Sequence, residues 1–250
     1  MISTLPTCCQ KIIRAYEALD FGQGRYVVCP YYNSGKRQRA AAAVDSGKGS
    51  PEEIIEEVRM RALQLRLDFG RLTAEEMRKF MIKENIGIDC SGLVAHALDP
   101  CVREKTGKSL GNVLARGVNS LKRKLLLRFR PFSNIDVSIL TAPTQSAAVS
   151  LADIAPGDLI RTRGGKHVLL VEKTERNDAN ILTAFTFVHS TGRFFDLDSG
   201  FRREKIVITN PTADLADQEW QFIWQRRQPT QEGWREERER NGIFRLKVLM

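Results

Sequence analysis

Histidine is scarce in this chain, with three in 250 residues, at positions 96, 167 and 189. Cysteine is little commoner: there are five, and no two form a CxxC pair. An odd count without paired spacing argues against a disulfide framework or a zinc cluster. It fits a reducing compartment better. No window approaches the roughly 18 consecutive apolar residues of a membrane span. The N-terminal stretch MISTLPTCCQKIIRAYEAL has no basic segment followed by an apolar one, so it does not read as a Sec signal peptide. Cys8 and Cys9 also lack the apolar run that precedes a lipoprotein cysteine. The expected location is the cytoplasm, with a non-Sec route or lysis as the ways out of it. The GKGS at 47–50 lacks the order of a phosphate-binding P-loop. No internal repeat is visible.

What is present suits a globular domain with its own core. The chain is 42% hydrophobic and 28% charged. Its net charge is +9, from 39 basic and 30 acidic residues. Such a surface attracts polyanions weakly. Read along the whole chain the basic excess looks spread out, which weakens a nucleic-acid reading.

Helix signals dominate the first half. Gln10–Leu19 reads as a short helix, and Arg25–Tyr32 as a strand entering a turn. Ser34–Ser50 reads as a loop rich in Gly, Ser and Ala. Ser50-Pro51-Glu52-Glu53 combines an N-cap, a first-turn proline and a capping-box glutamate. It predicts a helix to about Phe69. Thr73 with Glu76 opens another, carrying Met77, Phe80 and Met81 on one side. Further helices are expected from Cys90 to about Lys105 and from Leu110 to Phe129, the latter holding the Lys122–Arg130 basic cluster. After Pro131 strands are expected at 158–162, 167–173, 185–189, 205–209, 220–225 and 243–249. In the fifth of these Trp220, Phe222 and Trp224 share one buried face. Helices first and strands after predict an α+β fold.

Cys90 is the candidate for chemistry. It lies in GIDCSGLVAHAL, where a helix start would place its sulfur against free backbone N–H groups. Those groups and the helix dipole favour a thiolate and stabilise an oxyanion. A cysteine alone reads more often as a buried apolar residue than as a nucleophile. A base sharpens the reading, and few are on offer. His96 lies six residues further along the same helix and points about 120° away. His167 opens the strand HVLLVEK, and His189 closes the strand FTFVH. Adjacent antiparallel strands would bring these two within hydrogen-bond reach, one as base and the other orienting it. Cys8, Cys9, Cys29 and Cys101 have no such neighbours and read as structural. Asp89 reads as the helix cap, or with Ser91 as a substrate-binding group.

Three segments taken in order resemble a known family. GIDCSGLVAHAL, IAPGDLIRTRGGKHVLLVEK and FVHSTG are similar to the cysteine, histidine and third-residue motifs of the NlpC-type cell-wall peptidases. The resemblance spans about residues 86–192. It implies a papain-like fold, with N-terminal helices packed on an antiparallel sheet and a helical insertion before the nucleophile helix. It implies a single domain, with a catalytic core at about 86–210, the insertion at about 34–85 and a C-terminal strand extension at about 211–250. It assigns Cys90 as nucleophile, His167 as general base and acid, and His189 as the orienting residue, with Asp196 and Asp198 as rivals for that third place. The family's Pro-Tyr strand, whose tyrosine lies near the oxyanion site, would be Pro30-Tyr31-Tyr32, 59 residues before Cys90. Family members cleave amide bonds of peptidoglycan stem peptides and need no cofactor or metal. Relatives of the same fold include amidases and lipid acyltransferases. A catalytically inactive relative that binds polyanions is a third expectation.

Overall fold

The computed structural model describes residues 1–34, 43–192, 199–221 and 229–250, with side chains from 231 in the last segment. The helices are α1 (Thr7–Glu17), α2 (Pro51–Gln64), α3 (Ala74–Lys83), α4 (Cys90–Thr106), α5 (Leu110–Leu114), α6 (Leu121–Phe129), α7 (Pro131–Asn134), α8 (Val137–Leu140) and α9 (Pro229–Arg235). The strands are β1 (Ile2–Thr4), β2 (Leu19–Asp20), β3 (Tyr26–Val27), β4 (Ser146–Ala148), β5 (Leu159–Thr162), β6 (His167–Arg176), β7 (Leu182–Thr191), β8 (Gly200–Val207), β9 (Glu219–Gln221) and β10 (Gly242–Leu246). This is the α+β class expected from the order of helix and strand signals.

One antiparallel sheet runs β4-β10-β5-β6-β7-β8-β9. β5 pairs with the first part of β6, from His167 to Leu170, and β1 takes over at Lys173–Glu175. The C-terminal strand β10 lies between β4 and β5, inside the sheet. Alternation along the strands feeds two cores. Val168, Leu170, Val188 and Phe201 face the helical layer, where they join Leu93, Val94, Ala97 and Leu98 of α4. Leu169, Val171, Phe185, Phe187 and Ile206 face the other way and are covered by Trp220 and Trp234. Trp220 packs edge-on against Phe187 with ring centroids 5.8 Å apart. Phe222, Trp224, Asp196 and Asp198 lie outside the described residues.

Both capping boxes form. Ser50 Oγ accepts from the Glu53 N–H, and Thr73 Oγ1 from the Glu76 N–H, each reciprocated by the glutamate. Other boundaries move. α2 stops at Gln64, because Arg66 adopts a left-handed conformation (φ 54°) that no helix continues. The single helix expected from Leu110 to Phe129 is two. The Gln145 amide fills the space beside Gly117, and Ser120 caps a fresh start at α6. The strand expected from Arg25 to Tyr32 pairs as a ladder only at Tyr26–Val27, with single bridges at Pro30 and Tyr31. Proline has no N–H to extend a ladder. In the Ser34–Ser50 loop, residues 35–42 lie outside the described set. The rest is held in place by a 3-10 turn at Val44–Ser46 and a bridge between Lys48 and Ile88.

These bridges set the approach to α4. Ile88 donates to the Pro30 carbonyl at 2.9 Å, and its own carbonyl accepts from Tyr32 N–H and from Ser190 Oγ. Asp89 N–H donates to Gly47 O at 2.8 Å. The strands close in at Gly87, where a Cβ would sit 2.3 Å from Pro30 O. Gly87→Ala should therefore cost about 1–3 kcal/mol of unfolding free energy by forcing the two segments apart. Urea denaturation with unchanged stability would contradict this.

Candidate functional site

Asp89 is the N-cap of α4, its carboxylate accepting from the Gly92 N–H at 2.6 Å. The sulfur of Cys90 therefore sits at the start of a long helix buried from Cys90 to Asp99, and only 6% of the residue is exposed. The N–H groups of Val168, at the start of β6, and of Ser91 turn towards it. Tyr31 comes alongside from the other end of the chain. Its backbone bridges Ile88, and its ring lies over Gly192, leaving no room there for a Cβ. Burial pushes the Tyr31 phenol up to about 12, and nearness to the Cys90 sulfur adds to that. The phenol thus stays protonated as a donor.

His167 and His189 are neighbours across β6 and β7. Both follow the alternation of Leu169 and Phe187 onto the sheet face away from α4. His167 Nε2 and His189 Nδ1 are 2.8 Å apart, and both residues are almost fully buried. His189 Nε2 lies 3.4 Å from Glu204 Oε1 on β8. That distance admits an ion pair, but the alignment falls short of a hydrogen bond, and both His189 Nε2 and Glu204 Oε2 lack hydrogen-bond partners among the described residues. The carboxylate favours the tautomer with the proton on His189 Nε2. Nδ1 then accepts from His167, and the His167 lone pair falls on its own Nδ1. The hydrogen-bonded partner of His167 is His189, not Cys90.

The electrostatics depart from the expectation of a stabilised thiolate. Burial pushes the Cys90 thiol up to about 12, and the Asp89 charge raises it further. The Lys48 ammonium and the N–H groups of Val168 and Ser91 pull it back only in part. The positive end of α4 is already occupied by its own cap, so little of the dipole is left for the sulfur. Burial, and secondarily His189, hold His167 well below the ordinary histidine value. Both shifts favour the uncharged forms, the thiol of Cys90 and the neutral imidazole of His167.

Lys48 was not legible as part of this site. It is 6% exposed, and its three ammonium protons are all used. Nζ pairs with Asp89 (2.8 Å to Oδ1, 2.7 Å to Oδ2), donates to Ser91 Oγ, and donates to the Ile135 carbonyl at 3.0 Å. Ser91 Oγ also lies 3.3 Å from Asp89 Oδ1. The side chains of Asp89 and Ser91 are thus taken up in holding the helix start. His96 supports Lys48 from behind. Its Nε2 bonds the Lys48 carbonyl at 2.9 Å, and its ring stacks on Phe132 at 3.8 Å. Glu204 was missed as well, although its alternation with Ile206 marked an acid on an apolar row. Cys8, Cys9, Cys29 and Cys101 are free thiols. Among the described residues no group of three or more His, Cys, Asp or Glu is placed to hold a metal ion.

Compared with protein-family models, curated proteins and solved structures, the chain matches none.

The Lys48–Asp89 pair makes a sharp expectation. Lys48→Met strands a buried carboxylate and should cost about 3–5 kcal/mol. Adding Asp89→Asn, which still caps the helix, should restore most of it. Urea unfolding of the two variants checks this, and a harmless single variant would contradict it.

Proposed function

We propose that this chain is a cysteine hydrolase with a papain-like fold of the NlpC type, cleaving amide bonds of peptidoglycan stem peptides through a thioester acyl-enzyme. The observation that carries the reading is the His167–His189 pair at 2.8 Å across β6 and β7, next in the chain to Val168, whose N–H turns towards the Cys90 sulfur. The order of the three residues in the chain, and the return of Tyr31 to Ile88 across 57 positions, support it further.

With a neutral thiol, attack and deprotonation belong to one step. With His167 on the sheet face away from α4, the Cys90 proton passes through one bridging water to His167 Nδ1 as the sulfur bonds the substrate carbonyl carbon. His189 orients the ring through His167 Nε2, and Glu204 stands behind His189 to stabilise the positive charge that develops. The N–H groups at the α4 start and the Tyr31 hydroxyl are the donors for the oxyanion. His167 then returns the proton to the leaving amine, releasing it and leaving the thioester. Water attacks the thioester carbonyl, giving its proton to His167. The product carboxylic acid leaves, and Cys90 regains its proton.

One observation favours a second reading. A thiol this buried and this weakly acidic is also what a catalytically inactive relative would retain. An amidase or acyltransferase of the same fold would use the same residues on another amide or ester.

Muropeptide cleavage followed by mass spectrometry separates these. Cys90→Ala and His167→Ala should each lower the rate at least about a thousandfold, since nucleophile and base act as a unit. Glu204→Gln, one step removed, should lower it about tenfold. Full activity in Cys90→Ala would contradict the hydrolase reading. A wild-type chain that neither cleaves muropeptides nor traps a thioester from amide or ester donors would establish the inactive one.

A further inference from the structure

The basic excess of the chain is concentrated rather than spread. Residues 105–135 hold eight of the 39 Lys and Arg and none of the 30 Asp and Glu, so nearly all of the +9 net charge resides there. At the centre of this stretch is α6, LKRKLLLRF. Only Leu127 of its residues is buried. At about 100° per residue, Leu121, Leu125 and Phe129 form a stripe directly opposite Leu127, with Leu126 at its edge. All four are exposed, Leu121 by 71% and Phe129 by 81%. They line one shallow apolar hollow together with Lys122 and Arg130.

Charges flank this stripe. Arg123, on the buried side, is paired with Asp136 at 2.8 Å. Lys122, Lys124 and Arg128 border the outward stripe and make no ion pair with a described residue. No acidic side chain of α6 or its flanking residues 105–135 offsets them. An apolar ridge pointing straight into water, bordered by cations, matches the chemistry of a helix lying in a membrane interface. Nucleic acid or teichoic acid would satisfy the cations but leave the leucines and phenylalanine without a partner.

We propose that α6 docks this chain on an anionic lipid bilayer, with Leu121, Leu125, Leu126 and Phe129 entering the acyl boundary and Lys122, Lys124 and Arg128 meeting lipid phosphates. The surface is separate from Cys90, and the proposal stands whether or not the thiol is catalytic. No helix among the described residues is long and apolar enough to cross a membrane, so docking would be peripheral.

Vesicle co-sedimentation of the full chain tests this. Vesicles of phosphatidylglycerol and phosphatidylcholine in equal parts should bind it, and pure phosphatidylcholine should not. Lys122→Gln, Lys124→Gln and Arg128→Gln together should weaken binding about a hundredfold, at about fivefold per charge. Leu121→Gln with Phe129→Gln, which leaves every charge in place, should weaken it at least about tenfold. These side chains are exposed, so circular dichroism and thermal unfolding of the variants should match the parent. Absence of binding to the mixed vesicles would overturn the proposal. So would vesicle binding indifferent to the Leu121/Phe129 variant, or equally tight binding to a DNA oligonucleotide that ignores that variant. Either would leave α6 a simple polyanion site.

Discussion

The start of α4 depends on a buried ammonium. Lys48 brings one positive charge into a place where Asp89 caps the helix, Ser91 lies in its first turn and the Ile135 carbonyl accepts a hydrogen bond. Removing any partner leaves a polar group in a dry interior, which is why the cluster is all-or-none. The consequence is positional. The segment from Gly87 to Asp89 is fixed on one side by Pro30 and Tyr32, on another by Ser190, and on a third by Gly47 and Lys48. Cys90 follows directly, so its sulfur inherits a location set by three separate parts of the chain.

That location governs its chemistry. A helix N-terminus is expected to lower a thiol pKa, yet here burial prevails, and the cap's own carboxylate adds to it. The same burial keeps His167 neutral. A resting thiolate–imidazolium pair is therefore disfavoured on both sides at once. What the fold sets out is a row of His167, His189 and Glu204 across three adjacent strands.

Much of this arrangement was legible in the sequence, wherever the signal was local. Both capping boxes, the α4 start at Asp89-Cys90 and the strands opening at His167 and ending near His189 follow from short-range rules of capping and alternation. The pairing of the two histidines followed from their strands being consecutive. The rest was not legible, because it joins residues far apart. Nothing near Lys48 announces Asp89, 41 positions away. The insertion of β10 between β4 and β5 is likewise a matter of tertiary pairing. The break between α5 and α6 was missed for a similar reason: Gln145, which fills the space at Gly117, belongs to a later segment. The sulfur's acidity was misjudged because helix position is visible in a sequence and depth of burial is not.

The proposed reaction starts from a Cys90 that rests as a neutral thiol and loses its proton only during attack. The pH profile of Cys90 alkylation by iodoacetamide, followed residue by residue by mass spectrometry, tests it most directly. Because only the thiolate reacts, the rate at Cys90 should climb about tenfold per pH unit through neutral and mildly alkaline pH with no plateau. The shape of the profile carries the result, since burial lowers its height throughout. A plateau already reached at or below neutral pH would show a preformed thiolate and contradict the account.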